Sequence, residues 1–314
     1  MTGFEEFLQR ADLVGLATAT LVAATPLVLA AMGGVMSERS GVVNIALEGI
    51  MLTGAFVGFG VAFVTQSLLL GVIAAVIAGL LISALHALLS ISFYVDQIVS
   101  GMVINILAVG ITGVFYRNFE ESSGLSGVAT LPHWDIPGLS QIPALGPIFF
   151  QNQFVTYASL VAIPAVWFLL YRTVWGLRVR ACGEHPEAAE TAGINVFLVR
   201  YVQVIVGGGL AGLGGAYFSL QQIGNFLPNM TGGRGYIALA AMIFGRWNPF
   251  GAFLAAILFA SSDALSSRLA IAQVHVVPLQ FISMLPYLVT IVVLAGAVGR
   301  SVAPAADGKP YRRR

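Results

Sequence analysis

Long apolar runs separated by short polar interruptions fill this chain from end to end. A membrane's hydrocarbon core needs roughly 20 apolar residues per helix. Runs that meet this requirement or come near it lie at 13–33, 43–66, 68–92, 97–116, 153–171, 199–220, 235–246, 250–267 and 278–298. The pattern therefore predicts an all-α, polytopic helical membrane protein with about nine transmembrane segments. Two of them are irregular. The run 235–246 is short enough for a half-helix, and 43–66 opens on Asn44 and Glu48, which a plain lipid-facing rod would not carry. A third interruption, QQIGNFLPNMTGGRG at 221–235, has the Pro and Gly content that breaks a helix. Broken backbone at membrane depth is tolerated only where it is buried in protein or lines a watery cavity.

Composition sharpens this picture. Of 314 residues, 58% are hydrophobic and 9% charged, against about 25% charged in a soluble domain. So little charge cannot cover a water-facing surface, which excludes a soluble enzyme and leaves membrane lipid as the surroundings. The 36 glycines fit close helix packing in lipid. Cys182 is the single cysteine, which excludes an internal disulfide, and the four histidines show no metal-ligand spacing. No basic groove with interleaved aromatics points to nucleic acid. The acidic N-terminus lacks the basic region of a signal peptide, so the first run is read as a retained span.

Basic residues orient the chain. With 172–198 and the C-terminus inside, eleven are internal: Arg39, Arg172, Arg178, Arg180, Arg200, Arg246, Arg300, Lys309 and Arg312 to Arg314. Four (Arg10, Arg117, Arg234 and Arg268) are external. The positive-inside rule then predicts an external N-terminus, an internal C-terminus and an odd number of spans. The chain is read as one permease-like domain over 1–314. It has an external, turn-rich loop at 118–152, an internal loop at 172–198 and a basic internal tail at 299–314.

The internal loop carries the clearest local signals. Glu184 and His185 precede Pro186, which suits the first position of a helix. Glu187 and Glu190 follow where carboxylates favour the helix dipole, and Gly193 stands where a glycine cap would end it. The expectation is a short capped helix of about two turns, with a plain connecting loop as the alternative. A Walker A loop needs Gly-x-x-x-x-Gly-Lys-Ser/Thr. The sole lysine, Lys309, is followed by Pro310, so this chain has no P-loop.

Glu187, Ala188 and Ala189, then Gly193, resemble the EAA-x-x-x-G core of the coupling loop in ABC importer permeases. The preceding Gly176 to Glu184, with Arg178 and Arg180, together with Pro186, Gly193 and Ile194, is similar to the branched-chain amino acid and ribose permease family. The later Ile-x-Leu-Pro of the maltose type is missing. Ser37 to Gly49 and Asp96 to Asn105 look like the purine-nucleoside branch, whose permeases work with a basic-membrane-protein-type lipoprotein; simple-sugar permeases share much of this pattern. The resemblance implies a non-enzymatic transport subunit in a bacterial cytoplasmic membrane. It also implies a second homologous permease, an ATPase with two nucleotide domains and an external binding lipoprotein. ATP would be hydrolysed on that partner, with no cofactor in this chain. Arg178, Arg180, Glu184, Pro186, Glu187, Ala188, Ala189 and Gly193 would form the coupling element.

For the substrate pathway the candidates are Asn44, Glu48, Asn105, Gln221, Gln222, Asn225 and Phe226. Asn44 and Glu48 are four apart, on one helix face. An intramembrane carboxylate points to function, with a structural bond to nearby broken backbone as the alternative reading of Glu48. Amides beside an aromatic ring suit a nucleobase, which offers a stacking face and hydrogen-bonding edges. The alternative for that cluster is a polar helix end. Asp263 and Arg268 are placed near the external surface and His86 in packing. Competing functions are import of a simple sugar such as ribose and ion-coupled secondary transport, for which Glu48 is the main candidate. No channel filter and no Ser-His or His-Glu-x-x-His arrangement is present.

Overall fold

The computed structural model describes residues 13–123, 127–271 and 302–312, together with Met284 and Leu288. Seven helices among the described residues are long and apolar enough to cross a membrane. They are α1 (Leu13–Arg39), α2 (Leu47–Thr65), α3 (Leu68–Ala87), α4 (Gln97–Ser123), α5 (Phe154–Arg172), α8 (Val196–Ala216) and α10 (Pro249–Ile271). Two continue as π-helix, α3 through Leu88–Ser92 and α8 through Tyr217–Gln222. Between them lie α6 (Val174–Glu184), α7 (Pro186–Thr191) and the short apolar α9 (Arg234–Phe244). The expected span 278–298 lies outside the described residues.

Both irregular spans behave as the pattern predicts. The helix begun at 43 starts only at Leu47, after an open stretch at 41–46, and the 235–246 run is an 11-residue half-helix. The loop at 118–152 differs from its expected form. α4 runs on to Ser123, and His133–Asp135 pairs antiparallel with Gln151–Gln153, setting His133 opposite Gln153. The loop is tied to the broken segment by bonds from Val128 N to Gly224 O (2.7 Å) and Leu131 N to Leu220 O (2.8 Å).

α8 is the hub, packed against α1, α2 and α3. Lipid is as apolar as leucine, so helices associate through tight packing rather than through burial from water. Glycines supply the closeness. A Cβ on Gly33 would sit 2.2 Å from the Gly207 carbonyl oxygen, and one on Gly212 would sit 2.4 Å from that of Ala75.

The ends of the bundle are distinct. At one end Arg39, closing α1, donates from Nε to Trp247 O (2.9 Å) and from Nη2 to Arg246 O (3.2 Å). α7 and residues 302–312 lie at this same end, joined through Ala306 N to Gly183 O (2.8 Å). The opposite end holds the α2–α3 turn, the β-hairpin and the break after α8.

Candidate functional site

Two regions carry the candidate residues, and the first is built around the broken starts of α2 and α9. Glu48, in the first turn of α2, is 4% exposed. Its Oε1 accepts from Thr231 Oγ1 (2.6 Å) and Gly233 N (2.7 Å), and its Oε2 accepts from Gly235 N (2.6 Å). A helix start leaves N–H groups without partners and carries partial positive charge. One carboxylate here satisfies two of them across 185 and 187 residues of chain. Gly233 precedes the helix with φ +84°, a left-handed conformation that suits glycine.

Asn105 locks the start of α2 from α4. Its Oδ1 accepts from Gly49 N (2.8 Å), and its Nδ2 donates to Ile45 O and to the Tyr236 hydroxyl (both 2.9 Å). Glu48, Asn105 and Tyr236 therefore form one network that holds two discontinuous helices together. Asn44 is buried close by with no hydrogen bond to its side-chain amide.

The remaining pathway candidates do not join this group. Gln221 is buried and donates from Nε2 to Thr156 Oγ1 (2.8 Å), which is itself bonded to Thr25 Oγ1 (3.1 Å). Gln222 is exposed, and half-buried Asn225 caps its neighbour, accepting from Phe226 N (2.8 Å). The expectation that Phe226 offers a stacking face is corrected. The ring is 0% exposed and packs against Phe56 and Tyr116, each with a centroid distance of 5.2 Å. A helix break leaves a gap beside its neighbours, and this ring fills it. Tyr236, which sequence reasoning did not single out, is 46% exposed on the first turn of α9. Arg234 forms an ion pair with Asp263 (3.2 Å).

The second region is the end of the bundle carrying α7. The expected short helix is present over Pro186–Thr191, with Pro186 at its first position. Gly193 has φ +80°, Gly193 N donates to Glu190 O (2.9 Å), and Ile194 N donates to Ala189 O (3.0 Å). These two crossed bonds form a Schellman cap, which satisfies carbonyls that the helix end would leave bare. Ala189 points inward, whereas Glu187 and Ala188 are exposed. The loop also holds a helix that sequence reasoning missed. α6 begins where Thr173 Oγ1 accepts from Gly176 N (3.0 Å), exposes Arg178 and sets Arg180 over the Tyr171 ring at 5.1 Å.

Residues 302–312, within the expected basic tail, lie against this unit. Ala305 N donates to Glu184 Oε2 (3.2 Å), and the Tyr311 hydroxyl bonds Glu190 Oε2. Arg200, 2% exposed in α8, donates from Nε to Ser40 O (3.1 Å) and from Nη1 to Lys309 O (3.2 Å). Its guanidinium lies 5.8 Å from the Tyr311 ring centre. Asp307 interacts with the Glu38 carboxyl, which accepts from Trp247 Nε1 (2.6 Å). Burial pushes the Asp307 carboxyl up to about 7, against the opposing pull of Glu38, the Gly308 backbone and Arg200. Between tail and helix opens a groove of ≈ 810 Å³, lined by Glu184, His185, Glu187, Lys309 and Arg312 among others. No group of side chains among the described residues is arranged to hold a metal ion.

An exposed helix, capped at its C-terminal end, thus hangs between two spanning helices, beside a bundle with broken helices. Comparison with known proteins places the chain among membrane permeases. The guanosine ABC transporter permease protein NupQ of Bacillus subtilis is 43% identical, over 93% of this chain and 95% of that protein. The nucleoside ABC transporter permease protein NupC of Lactococcus lactis is 38% identical, over 93% and 94%. A Haloferax volcanii protein named "Putative glucose ABC transporter permease protein TsgC13" is 40% identical, over 95% and 98%. No solved structure matches the chain. The family model for the permease component of the branched-chain amino acid transport system matches residues 16–294, so this multi-pass membrane protein belongs to that permease family.

Proposed function

We propose that this chain is the permease subunit of an ATP-binding-cassette importer that moves a neutral nucleoside, a purine nucleoside first, into the cytoplasm. ATP is hydrolysed on a separate ATPase with two nucleotide domains. A second homologous permease completes the pore, and an external lipoprotein delivers the cargo. The observation that carries this reading is the exposed α7, Schellman-capped at Gly193, in a chain without a P-loop. The nucleoside as cargo is supported by the relatives named for guanosine and nucleoside transport.

On this reading Arg178, Arg180, Glu184 and Pro186 to Ala189 face the ATPase or position the residues that do. The passage runs along the exposed side of the broken segments, where Tyr236, Gln222 and Asn225 are accessible. Glu48 and Asn105 hold that wall from behind. An importer fed by a binding protein releases its cargo most readily from a weak, mildly polar cavity. Arg234, the one basic residue at the broken segment, is paired with Asp263, which disfavours phosphorylated cargo. The relative named for glucose favours a simple sugar as the second reading. In cells expressing the whole complex, labelled guanosine should accumulate, a nucleotide should not, and ribose should be the weaker substrate. Guanosine uptake at the level of a transporter-null strain, beside strong ribose uptake, would reject the nucleoside and keep the importer.

The α7 end is placed in the cytoplasm of a bacterial inner membrane, with the N-terminus outside. Arg39, Arg200, Arg246, Lys309 and Arg312 all lie at this end, and the positive-inside rule assigns it. Burial pushes the Cys182 thiol up to about 11, and Cys182→Ala clears the background entirely. Thr65→Cys should then react with an impermeant maleimide in intact cells, and Thr191→Cys only after permeabilisation. The reverse pattern would invert the topology.

A further inference from the structure

The position of residues 302–312 has a mechanical consequence if α7 is the helix on which the ATPase docks, and the inference rests on that reading. A six-residue helix has little rigidity of its own. Isolated helices shorter than about 12 residues are marginal in water, so a lever this short must be held by its surroundings. Its N-terminal side is held by α6, and its C-terminal side by the cap at Gly193. The tail holds it as well. Tyr311 bonds Glu190, on the last turn of α7. Ala305 and Ala306 bond Glu184 and Gly183, just before its start.

The same eleven residues reach two membrane helices and the connection between α3 and α4. Lys309 O takes the Arg200 guanidinium of α8 (3.2 Å). Tyr311 stacks near Phe197 of α8 with centroids 5.8 Å apart, and Arg312 lies 5.3 Å from the ring centre of Tyr94, between α3 and α4. Asp307 interacts with Glu38, at the end of α1, whose carboxyl accepts from Trp247, three residues past the end of α9. A displacement of α7 therefore reaches the half-helix α9 through Asp307 beside Glu38 and the Glu38–Trp247 hydrogen bond, besides the covalent route along α8.

We propose that the C-terminal segment is a brace of the coupling element, in which Tyr311, through Glu190, and Asp307, through Glu38, are positioning residues that carry ATPase motion to α1 and α9. Neither residue has to touch ATP or cargo. Their loss should leave a complex that hydrolyses ATP and moves less cargo for each ATP spent.

The test uses the whole complex reconstituted in proteoliposomes, with cargo uptake and phosphate release measured together. Tyr311→Phe keeps the ring against Phe197 and Arg200 and removes only the hydroxyl. Asp307→Ala removes the polar group beside Glu38, and Asp307→Asn keeps one there whose amide can donate to the Glu38 carboxylate. Cargo moved per ATP should fall about tenfold in Tyr311→Phe and in Asp307→Ala, the scale of losing a hydrogen bond to a charged group. Asp307→Asn should return it to within about twofold of the parent, a residual well under one hydrogen bond. A purely structural role would lower complex yield and leave cargo per ATP unchanged in every variant, and that result overturns the brace. If Asp307→Ala fails to assemble, Tyr311→Phe alone decides. Glu187→Arg serves as the control for docking. Its defect, beside parental ratios in the tail variants, removes the brace and keeps the docking helix. Parental uptake in Glu187→Arg takes down the docking reading itself.

Discussion

Replacing Glu48 by alanine should destabilise the whole complex, and transport should be lost as a consequence of that. The carboxylate accepts three hydrogen bonds, from Thr231 Oγ1, Gly233 N and Gly235 N. At roughly 1.5–3 kcal/mol for a hydrogen bond to a charged group, their sum is on the order of 5 kcal/mol. That is comparable with the entire stability of many domains. Alanine would also leave the N–H groups of Gly233 and Gly235 without this partner at membrane depth, where water cannot replace it. Glu48→Gln should fall between the two, because its amide nitrogen cannot accept a bond. The measurement is the melting temperature and membrane abundance of the purified complex. The outcome also separates two mechanisms. A carboxylate that couples transport to an ion should lose transport on change to Gln while the protein stays stable. A structural cap should lose stability first. Parental melting in Glu48→Ala would leave the cap without energetic weight and return Glu48 to the pathway.

Gly212→Val should abolish assembly of the bundle. The first side-chain carbon would lie 2.4 Å from Ala75 O and 2.9 Å from Gly79 Cα. The Gly212 carbonyl is itself within 2.5 Å of where a Cβ on Gly54 would stand, so α2 and α3 both press on one turn of α8. Ordinary overpacking costs about 1–3 kcal/mol because side chains shift. Here the obstacle is the backbone of α3, which cannot turn aside as a side chain does, so α8 and α3 must separate. Gly60→Val is the matched control, since a Cβ there has nothing within 4 Å. Membrane abundance and size-exclusion profile should be parental for Gly60→Val and collapsed for Gly212→Val. Equal profiles would show that this contact is not what holds α8 between α2 and α3.

Much of the architecture was legible before any coordinates, for local reasons. Run length against bilayer thickness predicts the spanning helices, and α1, α3, α5 and α10 begin within about one residue of the predicted starts, inside the usual error of such boundaries. Polar residues inside an apolar run marked the late start of α2. Prolines and glycines marked the break at 221–235. Pro186, Glu187 and Gly193 predict α7 because capping and dipole effects act within one turn. Each of these signals involves residues only a few positions apart.

What the tertiary structure decided concerns contacts between distant parts of the chain. Glu48 and Thr231 are 183 residues apart, and nothing in either neighbourhood announces the other. The sequence showed a carboxylate at membrane depth with two readings open, and the fold supplied the N–H groups that engage both of its oxygens. Phe226 had the composition of a stacking residue, and packing against Phe56 of α2 and Tyr116 of α4 buried it. The tail looked merely basic because its charges dominate its composition. Only the fold brings Glu38, Arg200 and Glu190 to one place, where Asp307, Lys309 and Tyr311 meet them. Helical propensity and hydropathy are summed along the chain, so the sequence by itself determined the elements and the class of protein. Hydrogen bonds between residues far apart in sequence exist only once the helices have packed, so the tertiary structure alone decided what each polar residue does.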